Sequence, residues 1–201
     1  MTKPNYMERA LRQNASLEEM LKPENPVEVI LLRQTDFREG LLWGRPRFGH
    51  PEGRVVFHIK EVLNNVDKLQ LSCQETRRKL RLIAFTHDSF KHQEDKSRHP
   101  RDPNKHHGVI ARKYTAQFID DPAILNILEW HDEAYYIWRL ENIYRDQEAS
   151  QERLKRFLTI IGGDIQLYYL FFVCDTRTGD KNQAPLKWFE KTFSGISPVK
   201  I

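Results

Sequence analysis

The sequence predicts an all-α fold, a single helical bundle preceded by a polar N-terminal extension. Apolar residues recur every three or four positions in one segment after another, as they do on the inward stripe of a helix. Prolines and glycine clusters fall between those segments and punctuate them. No segment alternates cleanly in the manner of a half-buried strand, and only residues 27–32 have any strand character.

The 201 residues suffice for one substantial core, and a hydrophobic share of 39% against 30% charged argues against both disorder and membrane insertion. The longest apolar stretches, such as residues 167–174, are far short of a spanning helix. We divide the chain into an extension, residues 1–45, packed or partly flexible, and a domain of residues 46–201.

The N-terminus turns charged within a few residues and offers neither an apolar core nor a cleavage site of the secretory kind, so the expected location is cytoplasmic. Cys73 and Cys174 form no Cys-x-x-Cys pair and no disulfide framework. A net charge of +4 favours anionic partners only weakly, because 32 basic and 28 acidic residues are interleaved.

Taken in order, Ser16-Leu17-Glu18-Glu19 has the form of a helix start, and Pro23 and Pro26 close that segment. Pro46 and Gly49-His50-Pro51-Glu52-Gly53 make the next break. A helix is then expected from about Pro51 to the late sixties on Val55, Ile59, Val62, Leu63 and Val66. A second is expected from about Thr76 to Lys91 on Leu80, Ile83 and Ala84. Residues 92–105 read as a charged loop, helices resume near Lys105, and Pro122 starts another. Residues 141–156 form a polar surface excursion, and Gly162-Gly163-Asp164 caps a final apolar helix.

The informative residues are the polar ones on the apolar stripes. His58 lies three positions after Val55 and four before Val62, and His87 continues the row Leu80, Ile83, Ala84, with Asp88 four beyond Ala84. His107 leads a stripe through Ala111, Tyr114 and Phe118. His131 follows Ile124, Ile127 and Leu128, and Asp175 ends the row through Phe171. A lone inward histidine is usually a hydrogen-bonded core residue. Four imidazoles and two carboxylates turned inward together would cost several kcal/mol if unpaired, and one or two shared cations would pair them all. Nitrogen and oxygen donors without thiolate suit divalent Mn, Fe, Co, Ni or Zn.

In this order, His…His-Asp…His…His…Asp, the residues resemble the HD-domain superfamily of metal-dependent phosphohydrolases, over about His50 to Asp180. The run His50-Pro51-Glu52-Gly53-Arg54-Val55-Val56-Phe57-His58-Ile59 is similar to the first helix of HD domains attached to transfer-RNA nucleotidyltransferases. Leu82-Ile83-Ala84-Phe85-Thr86-His87-Asp88-Ser89-Phe90-Lys91 resembles the signature in which Lys follows the Asp by three, although the usual Gly is Phe90 here. Glu129-Trp130-His131-Asp132 and Val173-Cys174-Asp175-Thr176-Arg177 are similar to the later motifs. Asp180 offers a rival for the last ligand, and Asp175 is preferred for its place after the apolar stripe.

The resemblance implies an HD-type helical bundle with metal held by His58, His87, Asp88 and Asp175. His107 and His131 would add a second ion, with Asp88 bridging and also serving catalysis. Lys91 would contact substrate phosphate, with Arg54 and Arg177 as further substrate-binding residues. The implied activity is hydrolysis of a phosphate ester or anhydride in a phosphorylated small molecule, most simply a nucleotide. The alternative is a non-catalytic nucleotide- or metal-sensing module acting through a protein partner, and RNA ranks below both as a partner. His50 is set aside as structural, and His92, His99 and His106 are expected to be solvated.

Overall fold

The structure is a computed structural model that describes residues 16–48, 51–94 and 102–201, so His50 and His99 lie outside the described residues. It is helical throughout, with no strand among the described residues.

Three helices precede the domain boundary drawn from the sequence. Helix α1 (Leu17–Leu21) opens on a capping box, in which Ser16 Oγ accepts from Glu19 N–H and Glu19 Oε2 accepts from Ser16 N–H. Helix α2 (Pro26–Leu32) is capped by Asn25, with Pro26 in its first turn. This corrects the strand character of residues 27–32. Adjacent Leu31 and Leu32 are both fully buried, whereas neighbouring residues of a strand face opposite sides. Helix α3 (Thr35–Leu42) buries Phe37, Gly40 and Leu41.

The domain proper begins with α4 (Val55–Lys68) and α5 (Gln74–Thr86), then α6 (His107–Thr115), α7 (Pro122–Trp130) and α8 (Glu133–Arg139). A π-turn at Leu140–Tyr144 leads to α9 (Gln147–Ile161), a 3-10 turn at Gly162–Asp164, α10 (Ile165–Thr176) and α11 (Ala184–Thr192). The polar excursion is a surface feature, but it is helical. Only Ser150 is buried within residues 141–156, and Asp146 caps α9 by accepting from Ala149 N–H.

Helix α5 is the centre of the bundle, packed by α4, α7 and α10. Residues 168–174 of α10 are buried on every side, the mark of a core helix enclosed by others. The stretch Gln147–Thr176 has the length and hydropathy of a membrane span only because α9 and α10 run on through the 3-10 turn, and half of its apolar window is buried in the protein. Leu17, Leu21, Leu31, Leu32, Phe37 and Leu41 belong to the same core as the rest of the chain. The extension is also fastened by a buried ion pair. Glu28 of α2 takes the forked guanidinium of Arg81 of α5 at 3.0 and 3.2 Å, and it also accepts from Glu24 N–H and Asn25 Nδ2, so the buried carboxylate is fully paired.

The second predicted helix is shorter than expected. Helix α5 stops at Thr86, and His87 through Phe90 form a turn before a 3-10 segment at Lys91–Gln93. Thr86 Oγ1 donates to Leu82 O and Ser89 Oγ donates to Phe85 O. Phe85 O is one of the last four carbonyls, which a helix end leaves open, whereas the Thr86 hydroxyl bonds back to a carbonyl one turn earlier within the helix. Phe90, where related signatures carry glycine, has φ −110 and needs no left-handed backbone. Its ring packs against Phe37 and Tyr114.

Candidate metal centre

Each group of the site stands where a helix begins or ends beside α5, with His58 one turn inside α4. His87 and Asp88 occupy the turn after α5, and His107 is the first residue of α6. His131 caps α7 and Asp132 follows it, while Asp175 is next to last in α10. The four histidines and Asp88 are each under 5% exposed. All six residues expected from the sequence to hold metal are thus brought together.

They form two groups around one carboxylate. His58 Nε2 lies 3.2 Å from His87 Nε2, 2.9 Å from Asp175 Oδ1 and 3.5 Å from Asp88 Oδ2. On the other side His107 Nε2 and His131 Nε2 are 3.1 Å apart, at 3.5 and 3.6 Å from Asp88 Oδ1. Asp132 Oδ2 completes this second group, 3.4 Å from His107 Nε2. Asp88 therefore shows one oxygen to each group.

The outward nitrogens explain why all four rings present Nε2 to the centre. His87 Nδ1 donates to Ala84 O at 3.0 Å and His131 Nδ1 to Leu128 O at 2.8 Å. These carbonyl acceptors require the proton on Nδ1 and leave a lone pair on Nε2. Glu52 and Thr178 stand behind His58 Nδ1 at 3.6 and 3.4 Å, and Glu94 behind His107 Nδ1 at 3.4 Å.

Lone pairs and carboxylate oxygens facing one another in a buried site repel unless a cation lies among them. The donor set therefore fits a metal ion, and His58 with His87 and Asp88, and Asp88 with His107 and His131, are groups that could hold one. The protein's own charges treat the two groups differently. Burial and the nearby Lys181 ammonium pull His58 down to about 4, keeping it neutral and able to ligate. Burial also works against charge on His107, yet Asp88, Glu94 and Asp132 together raise it to about 9, so the second group attracts positive charge, which is a proton on His107 or, in its place, a bound cation. Burial opposes ionisation of Asp132 as well, but His131 and His107 bring it to about 2.

Two lysines close the open side. Lys91 Nζ donates to Asp88 Oδ2 at 2.6 Å and Lys181 Nζ to Asp175 Oδ1 at 2.8 Å. Burial disfavours both charges of the Lys91–Asp88 pair, but their mutual attraction prevails. Asp88 is held well below the usual carboxylate range and Lys91 is raised. Both lysines line a cleft of about 370 Å³ with His87, His131, Asp132 and Asp175, walled by Phe48, Tyr135, Phe172 and Pro185.

Other expected residues lie elsewhere. Exposed Arg177 lines a separate surface cleft with Asn65 and Lys68, and exposed Arg54 precedes α4 without lining either cleft that reaches the centre. Asp180 is exposed on the cleft wall, outside the ligand group. His106 is not solvated as expected. Its Nδ1 caps α6 by accepting from Gly108 N–H, and its Nε2 lies 3.7 Å from Asp132. Sequence reasoning missed Asp132, Lys181, Glu52 and Glu94. Only Asp132 carried a signal, since His131-Asp132 repeats the His87-Asp88 pair. Comparison with protein-family models, curated proteins and solved structures finds no significant match to this chain.

Proposed function

We propose that the protein is a metal-dependent phosphohydrolase of the HD-domain type, cleaving a phosphate ester or anhydride in a nucleotide. The observation that carries this reading is Asp88, whose two oxygens face two separate histidine groups while Lys91 caps it on the cleft side. Such a pair of groups, a few ångströms apart and sharing one carboxylate, suits two divalent ions of Mn, Fe, Co, Ni or Zn. Ions bound there supply Lewis acidity and bring the pKa of water toward neutrality.

The chain's own residues would do the rest. Asp88, Asp132 and Asp175 with the four imidazoles hold the charge in place, and the carbonyls behind His87 and His131 fix ring orientation. The Lys91 ammonium has three donors and no lone pair, so it serves phosphoryl oxygens and not the metal. Lys181 sits on the same cleft wall for the same use. Phe48, Tyr135 and Phe172 offer aromatic faces to a base. Hydrolysis exchanges the P–O bond to the leaving group for one to the oxygen of water, and the proton from that water leaves with the departing oxygen.

The test is metal content by elemental analysis after anaerobic loading, paired with turnover of a nucleotide panel and a generic phosphodiester. Lys91→Ala should keep its metal and lose about 10²-fold in kcat/KM, the usual cost of one electrostatic stabiliser. Lys91→Arg should recover part of that loss. Metal uptake with no turnover of any phosphate compound would overturn the hydrolase reading in favour of a sensing module.

A further inference from the structure

A second cleft, of about 530 Å³, leaves the same centre in another direction. It shares Asp88 and Lys91 with the aromatic cleft, touches His58, and is walled by residues 42–47 and by Glu52, Gly53 and Val55. No motif in the sequence accounts for its outer half, Trp43-Gly44-Arg45-Pro46-Arg47.

That strap is held in one place. Val55 N–H donates to Trp43 O at 2.9 Å. Gly44 and Gly53 both have positive φ, 115 and 82. A Cβ on Gly44 would stand 2.4 Å from Gly53 O, and one on Gly53 would stand 2.8 Å from Pro46 Cδ. Side chains at either glycine would therefore force the strap away from the start of α4. Pro46 fixes its own φ and biases Arg45 toward extended backbone, where residues two apart share a face. Arg45 and Arg47 both line the cleft and both are exposed. Arg38, Arg77, Arg78, Arg81, Arg112 and Arg153 are all paired with carboxylates. Arg45 and Arg47 belong to the arginines that make no ion pair among the described residues, as Arg54 and Arg177 also do, but of these four only Arg45 and Arg47 line a cleft that reaches the centre. Of the acidic residues of the same cleft, Glu52 stands 3.6 Å from His58 Nδ1 and Asp88 pairs with Lys91.

We infer that the strap is an oligophosphate subsite. Arg45 and Arg47 would hold phosphates that extend beyond the phosphoryl group seated at Asp88 and Lys91, guanidinium being suited to forked contacts with phosphate oxygens. Phe48, the next residue of the strap, lines the aromatic cleft, so the nucleoside end lies there and the phosphate chain turns along the arginines. The ligand class is a nucleoside carrying a chain of phosphates, in preference to a monophosphate. This rests on the phosphohydrolase reading for the seat of the first phosphoryl group.

Calorimetric titration of the metal-loaded protein with inorganic tripolyphosphate and with orthophosphate tests the subsite without turnover, with metal content checked after each run. Tripolyphosphate should bind at least about tenfold more tightly, and the Arg45→Ala/Arg47→Ala double variant should erase that difference, two charge-assisted contacts being removed. In parallel, the ratio of kcat/KM for adenosine triphosphate over the monophosphate should fall about tenfold in the double variant, carried by KM. Equal affinity for the two anions, or a preference that survives in the variant, overturns the proposal. Arginine-dependent tripolyphosphate binding in a protein that hydrolyses nothing would keep the subsite and sink the hydrolase reading. Hydrolysis of monophosphates with no such binding would do the reverse. A single-stranded oligonucleotide bound more tightly than tripolyphosphate, and lost in the same variant, would overturn it in favour of a nucleic-acid track.

Discussion

Asp88 is the residue on which the site turns, because among the described residues it alone belongs to both histidine groups. Its Oδ2 stands 3.5 Å from His58 and from His87, and its Oδ1 3.5 and 3.6 Å from His107 and His131. Asp132 reaches only the second group. Asp88→Ala should therefore abolish binding at both positions, whereas Asp132→Ala should lower the bound metal by one ion and leave the His58, His87, Asp88 and Asp175 group filled. Equal stoichiometry for the two variants, measured by elemental analysis, would show that Asp88 does not bridge. At this scale the sequence was informative for histidines and poor for basic residues. An imidazole on an apolar stripe is out of place and so visible, whereas arginine or lysine beside a motif is ordinary surface composition. Arg54 and Arg177 accordingly lie outside the two clefts that reach the centre, and Lys181 and the strap arginines carried no sequence signal.

The elements are held to one another by contacts that sequence periodicity does not encode. Helix α2 looked faintly like a strand because Val27, Val29 and Ile30 are β-branched, but its end caps and its buried Glu28 make it a helix docked on α5. Arg81 lies on α5, directly upstream of the His87-Asp88 turn, so this ion pair positions the site's central helix against the N-terminal layer. Removing Arg81 leaves the fully buried Glu28 without its guanidinium partner, and Arg81→Ala should cost about 3–5 kcal/mol in denaturant unfolding. A loss below about 1 kcal/mol would mean that the extension contributes little to the fold. Helix α3 is equally tied to the site. A Cβ on Gly40 would stand 1.6 Å from Ser89 O, so α3 lies directly on the turn that carries His87 and Asp88. The same crowding explains why Phe90 is tolerated after the His-Asp pair, since α3 and α6 supply Phe37 and Tyr114 around its ring.

For the whole molecule, the two groups would act as a clasp once they hold metal. Their donors come from α4, the turn after α5, α6, the end of α7 and α10, and no one of those elements holds a complete set by itself. Ions that bind only the folded chain stabilise it by mass action, about 2.7 kcal/mol at a hundredfold excess over Kd. For a chain of this size that corresponds to about 5–10 °C in Tm. Chelation should lower the melting temperature by that much, and reloading should restore it, with circular dichroism still helical below the transition. A melting curve indifferent to both treatments would show that the clustered imidazoles and carboxylates hold no ion.

What the sequence determined by itself was the helical class and the identity of six inward polar residues. Both follow from local rules, since periodicity near 3.6 defines a face and a charged or imidazole side chain on that face stands out against its neighbours. The resemblance already implied the grouping about Asp88, and the tertiary structure decided its geometry, with His58, His87 and Asp175 on one oxygen of Asp88, His107 and His131 on the other, and Asp132 added to the second group. The tertiary structure also showed where α5 ends and that the turn after it lies against Gly40 and Phe37 of α3. Which basic residues reach the centre was likewise a matter of packing. Distances between residues far apart in sequence are set by how helices cross, and no spacing along the chain records them.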